Sequence, residues 1–226
     1  MKKLLALFVL LLASVPASAF TYSYTGSPYG APANFTVCGT GNCGNFAAAG
    51  RVTVQFVTPL RLPANLVLSD IGPLVTSFTS SDGLTTYASG DANVRVHSVQ
   101  VSTDASGAVI DALIVVERWQ VAGAVHAIND RLDFLQITPG FSTFAIHNAF
   151  CTGLGVSPAG TADSCLTAGT DTATSAGTGV PSAPIALLAA IAAQVPTLSE
   201  YALMLLAALM ALAAVGALRR NGHTRA

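Results

Sequence analysis

Lysine is almost missing from this chain of 226 residues: Lys2 and Lys3 are its two copies, and none follows. Charge of either sign is scarce as well. Asp, Glu, Lys and Arg together make up 9% of the chain, against the ~25% of an ordinary soluble domain. With a formal net charge of −1, this excludes a highly charged disordered chain and a basic nucleic-acid binder, and it argues against a plain cytosolic enzyme. Tryptophan occurs once, as Trp119, and the histidines ahead of the C-terminal tail are His97, His126 and His147. There is no Gly-x-Ser-x-Gly elbow, no His-Glu-x-x-His and no Gly-rich phosphate loop ahead of a helix. The usual nucleophile, zinc and nucleotide chemistries therefore lack their residues, and neither a cofactor nor a metal is expected. Residues 20–167 also show no sustained helical period.

What the chain has in abundance is apolar surface, 52% of its residues, with a mean hydropathy of +0.59. The distribution is uneven. Between residues 20 and 194 five arginines (51, 61, 95, 118 and 131) face nine aspartates and Glu117, a net of −5. Basic residues mark both ends, and continuous apolar runs lie beside them. Two membrane-directed termini enclosing one acidic soluble domain explain this layout.

Residues 1–19 have the build of a secretory signal peptide. Lys2 and Lys3 are the positive region, Leu4–Ala13 is an apolar core, and Ala17-Ser18-Ala19 offers small residues for cleavage by signal peptidase. A helix that short does not cross a hydrocarbon core of ~30 Å. Cleavage after Ala19 would make Phe20 the first residue of the mature chain.

The other end has three parts: Val195-Pro196-Thr197-Leu198-Ser199-Glu200-Tyr201, an uncharged run from Ala202 to Leu218, and the basic pair Arg219-Arg220. At 1.5 Å per residue, a helix over 198–218 spans roughly 31 Å, enough to cross a bilayer. Thr197-x-x-Glu200 fits a capping box, and Pro196 blocks extension upstream. Tyr201 suits the outer interface and the arginine pair the cytoplasmic side. Both ends give one topology, with the domain outside and residues 221–226 in the cytoplasm.

These C-terminal residues resemble the IPTL-CTERM sorting domain, a variant of the PEP-CTERM/exosortase type of bacterial surface-protein sorting tail. Val195 stands where that family has Ile, and Tyr201 where it has Trp; the order of motif, helix and arginines is kept over 195–220. The resemblance implies handling by a membrane-embedded sorting protease or transpeptidase. It implies a precursor held in the inner membrane and delivery to the cell surface or extracellular matrix, with extracellular polysaccharide as a candidate partner. Leu62-Pro63-Ala64-Asn65, Ser77-Phe78-x-x-Ser81-Asp82-Gly83 and Thr103-Asp104-x-x-Gly107 also resemble pieces of exported β-domains that accompany such tails, and those domains mostly have no assigned activity.

Residues 20–167 read as β structure. Val52-x-Val54-x-Phe56 alternates with Thr53 and Gln55, the period of a half-buried strand. Val94-x-Val96 runs into Val99-x-Val101 with a one-residue slip, predicting a bulge near His97-Ser98. Val109–Trp119 is apolar on both faces, as a central strand covered on two sides would be. Asp82-Gly83, Ser89-Gly90-Asp91 and Asp104–Gly107 read as turns. The expected fold is an all-β, disulfide-bonded, jelly-roll-like β-sandwich, followed by a low-complexity linker over 168–194. The apolar run Ile185–Ala193 within that linker could lie on a membrane, extend the helix or pack on the domain.

Four cysteines on the oxidising side of a membrane suit disulfides. Sequence alone leaves three connectivities open, of which locality favours Cys38–Cys43 and Cys151–Cys165; the spacings do not match zinc sites. The best acid cluster is His126, Asp130 and Asp133, which could hold a carbohydrate or a cation, or could be a turn built on Asn129-Asp130. Glu117 and Arg118 are adjacent and point to opposite strand faces. Trp119 is a core residue unless it lies at the surface. Two functions compete: a non-enzymatic surface or matrix protein, and a secreted carbohydrate-binding or hydrolytic protein acting through residues 126–133.

Overall fold

A computed structural model describes residues 18–123 and 125–192, together with Leu206. The expected signal peptide up to residue 17, the sorting motif 195–201, Arg219, Arg220 and all of the 198–218 helix except Leu206 lie outside the described residues. Among the described residues no helix is long and apolar enough to cross a membrane. Residues 19–191 form one compact unit, and it is all-β.

Twelve strands build it: β1 (Ser18–Thr25), β2 (Thr53–Thr58), β3 (Ser69–Asp70), β4 (Ser77–Ser81), β5 (Thr86–Ala88), β6 (Val94–Thr103), β7 (Val109–Trp119), β8 (Arg131–Thr138), β9 (Ser142–Gly155), β10 (Ser164–Gly169), β11 (Ser175–Gly179) and β12 (Ala186–Ala192). A five-stranded sheet has the order β12-β1-β2-β4-β5, and a seven-stranded one the order β10-β9-β8-β7-β6-β3, with β11 also on β9. β10 pairs with the C-terminal half of β9 and β11 with its N-terminal half, so two short strands share the edge of one long strand. A single 3₁₀ turn, Gly72–Leu74, carries the chain from β3 in the larger sheet to β4 in the smaller.

Alternation in sequence becomes alternation in burial. In β2, Val54 and Phe56 point into the core and Gln55 out. One buried cluster takes Tyr22, Tyr24, Val54 and Phe56 from the smaller sheet and Val99, Val101, Ile114, Val116, Leu135 and Ile137 from the larger. The rings of Tyr22 and Phe56 stack across β1 and β2 with centroids 4.9 Å apart. The Tyr22 hydroxyl accepts a bond from the Leu62 N–H, and Tyr24 donates to the Phe141 carbonyl, so both phenols are satisfied inside the core. The register of β6 on β7 shifts between Val96 and Ser98, where the apolar phase slips. β7 is flanked by β6 and β8, and its second face carries a separate cluster of Trp119, Leu132, Ile146, Ala149, Cys151 and Cys165. Turns fall at Gly83, Gly90 and Gly107, all at positive φ. At Gly107 a side chain would also stand 2.6 Å from the Leu62 carbonyl oxygen, so only glycine fits.

The expected linker is where the structure departs from the sequence reading. Residues 168–192 are not a spacer: they finish β10 and make β11 and β12. Ser175–Gly179 has no apolar period because its inward positions are Ser175, Gly177 and Gly179. Gly177 leaves room for the Tyr29 ring, which a Cβ would meet at 2.7 Å. Ile185 enters the core and β12 lies on β1, so of the three fates open to the apolar run, its described part packs on the domain.

Candidate functional site

Two polar clusters are built into the larger sheet, and the sequence candidates are divided between them. The first forms where β8 meets β9. Leu132 opposes Ala149 and Phe134 opposes Ile146, so Asp133 alone faces both His147 and Asn148. This is a β-bulge, with Asn148 at φ 62°. Both carboxylate oxygens of Asp133 are used. One accepts the Asn148 N–H at 2.9 Å and the Gln120 amide at 2.7 Å, and the other accepts the Thr85 hydroxyl at 3.0 Å.

His147 lies 3.0 Å from Asp133 through Nδ1 and 2.6 Å from the Asn42 carbonyl through Nε2. Both ring nitrogens therefore face oxygen acceptors and both must carry hydrogen to bond them, which favours the imidazolium. Burial pulls the His147 pKa down, but the Asp133 bond and charge and the Asn42 carbonyl outweigh it and raise the pKa. Burial likewise works to raise Asp133, and the His147 bond and charge with the Asn148 and Gln120 donors hold it below its ordinary value. Asp82 extends the network. Its carboxylate accepts the Leu84 and Thr85 N–H groups and the Tyr87 hydroxyl, while Tyr29 donates to its carbonyl. Burial pushes the Asp82 carboxyl up.

Above this network lies the loop closed by Cys38–Cys43, whose Cα atoms are 5.8 Å apart. Asn148 and Arg131 bond Thr40, His147 and Gln120 bond Asn42, and Gly41 passes so close to Asn148 and Gln120 that no side chain fits there. The cluster thus fixes an exposed disulfide loop to the sheet. With both its nitrogens bonded to acceptors, His147 offers no lone pair as a base, and Thr85 is buried.

The second cluster holds His126. Its ring stacks on Trp119 at 4.3 Å, its Nδ1 lies 2.7 Å from Asp163, and its Nε2 lies 3.1 Å from the Val121 carbonyl. Asp163 also bonds Arg95 at 2.9 Å, and Trp119 donates to the Asp163 carbonyl, so this tryptophan is a core residue. Glu117 lies nearby, 3% exposed, and accepts the Cys165 N–H; burial raises its pKa to about 7. Cys151–Cys165 ties β9 to β10 beside it.

The structure therefore does not gather the three candidates. His126 goes to Asp163, Asp133 to His147, and Asp130 accepts the Ala127 N–H at 2.8 Å in a turn with Asn129 at φ 75°. Arg131 pairs with Asp171. Among the described residues no three His, Cys, Asp or Glu side chains stand close enough to hold a metal. Sequence reasoning missed His147, Asp82 and Thr85. One sign was available: Asp133 shares its strand phase with Leu135 and Ile137, so it points inward and needs a partner.

The family model of the IPTL-CTERM motif matches residues 193–220. No curated protein and no solved structure matches the chain.

Proposed function

We propose that this chain, which ends in an IPTL-CTERM sorting motif, is a non-enzymatic bacterial surface or matrix protein whose tail is processed by a membrane-embedded sorting enzyme. The motif at 193–220 carries the reading, and the two disulfides suit an oxidising destination. In this scheme signal peptidase removes residues 1–19, a helix over 198–218 holds the precursor in the inner membrane, and 221–226 stay in the cytoplasm. The register of β1 on β2 begins at Phe20, so cleavage after Ala19 removes no residue of that ladder. The exported part is a β-sandwich: one core shared by two sheets supports this, and β6–β10 form a meander in place of a jelly-roll crossing. The partners are the two processing enzymes and the membrane, with extracellular polysaccharide as the surface to test.

The competing carbohydrate-binding or hydrolytic reading requires His126, Asp130 and Asp133 to converge, and their partners separate them. Intact-mass measurement on the chain made with both ends tests the preferred reading. The wild type should lose residues 1–19 and the mass of the helix, while Pro196→Ala/Thr197→Ala should lose only the first. A wild type that keeps its helix, or a variant processed like it, sinks the proposal.

A further inference from the structure

Residues 59–68 connect β2 to β3 and read Pro-Leu-Arg-Leu-Pro-Ala-Asn-Leu-Val-Leu, with Arg61 as the one charge. A surface connection is ordinarily polar, and this one is not. Leu60 is 75% and Val67 81% exposed, and Pro59, Pro63, Ala64 and Leu68 are exposed with them. Single exposed apolar side chains need no explanation, but a run of them on one connection marks an interaction surface.

The loop is held through its backbone, which leaves these side chains free. The Thr103 hydroxyl donates to the Pro63 carbonyl at 2.6 Å and accepts the Leu66 N–H at 2.9 Å. Ser102 Oγ accepts the Leu68 N–H at 2.9 Å. Leu68 itself is held at φ 34°, a conformation leucine rarely adopts. Of the larger side chains, Leu62 turns into the core. Asp104, at the turn after β6, directs its carboxylate to the Ser106 and Ala108 N–H groups.

Where the chain leaves the domain decides what this loop meets. Gly179 stands against the Ser27 carbonyl and Ser182 bonds the Tyr24 hydroxyl at 2.9 Å, so the chain runs back along β1 and β12 ends beside the start of that strand. Phe20, at that start, pairs with Thr58, two residues ahead of Leu60. Two strand spacings, ~10 Å, therefore separate the end of β12 from the end of β2. From Ala192 to Leu198, where the expected membrane helix begins, the chain reaches no more than ~20 Å. The end of the domain that carries the loop thus stays close to a bilayer for as long as the tail is in it.

We propose that Leu60, Val67 and Leu68 enter the lipid surface beside the tail, so that the precursor meets the membrane at two points, with Arg61 at the level of the lipid phosphates. Apolar insertion drives this contact, since residues 20–194 net −5 and offer anionic lipid little attraction. The orientation rests on the tail anchor proposed above; the loop's contact with lipid is separable from it.

The test places the full chain, made in a host without the sorting enzyme, in nanodiscs of phosphatidylcholine with brominated acyl chains, which quench tryptophan at short range. Leu60→Trp and Val67→Trp should each be quenched. Native Trp119 should not be, because it lies ~33 Å along β7 from Val109, the partner of Thr103. Val125→Trp, in the loop after β7, should stay bright as well. Adding Leu60→Asp to the Val67→Trp chain should cut its quenching at least about twofold, since a carboxylate resists entry into hydrocarbon. Discs that retain the chain while both loop tryptophans stay unquenched overturn the docking alone. A blue-shifted but unquenched emission also overturns it, by showing that a second copy covers the loop, and so does quenching that Leu60→Asp leaves unchanged. A chain that separates from the discs overturns the tail anchor and the docking together.

Discussion

Buried ionisable side chains set the pH behaviour of this domain, and they pull in opposite directions. Asp133 is held below its ordinary pKa, so its contribution is complete above the unfolded value of ~4 and is lost as pH falls through the depressed one. His147 is raised, so its contribution is complete below ~6.5 and is lost as pH rises through the raised value. The pair is therefore strongest between about pH 4 and 6.5. Asp133→Asn leaves a buried imidazolium facing an amide and should cost about 3–5 kcal/mol near pH 6, measured by urea unfolding. Glu117 works against the fold. Burial raises it from 4.5 to about 7, so the native state binds the extra proton and stability declines as pH climbs through that interval. Glu117→Gln keeps an oxygen for the Cys165 N–H. At pH 8 it should recover up to about 3 kcal/mol, at ~1.4 kcal/mol per unit, and at pH 4 it should change little. A variant whose pH profile parallels the wild type would contradict the burial of Glu117.

Among the elements, β10 depends most on a covalent link. Register shifts interrupt its pairing with β9 between Cys165 and Ala168, and Cys151–Cys165 bridges the two strands across a sequence separation of 14. Replacing both cysteines by serine should lower stability by about 3 kcal/mol in the chain-entropy picture, read as a lower denaturation midpoint. The strands legible in the sequence were those with an apolar period: β2, both halves of β6 with its bulge, and β7. Their neighbours were not. Strand β11 presents serine and glycine inward, and its existence depends on the free edge of β9 and the ring of Tyr29, neither of which is near it in sequence. The candidate residues are divided for the same reason. Residues 126–133 are close along the chain, but His126 and Asp133 are buried in contact with Asp163 and His147, 37 and 14 residues further on. Asp82 joined that network through Thr85 and Tyr87, its neighbours around a turn read only as a turn.

For the whole molecule, the sequence spoke most plainly at the C-terminal end, because a sorting motif is read from a short linear pattern of charge and apolarity. The interior is a product of long-range pairing. The mass experiment on Pro196→Ala/Thr197→Ala belongs to this scale, since it asks what becomes of the ends while the domain stays constant. If both cuts occur, both lysines leave with residues 1–19, and the exported chain keeps its α-amino group as its single primary amine.

If the chain is held by its tail, the position of β12 decides where load enters. Tension entering at residue 193 reaches the domain through the outermost strand of the smaller sheet, bonded to a neighbour along one edge. The first structure to bear load is thus the β12–β1 ladder, and behind it the buried side chain of Ile185. Separation of β12 would bare the edge of β1 while leaving the seven-stranded sheet, both disulfides and the Asp133 network in place. In that case the margin of the domain would yield before its core felt the pull.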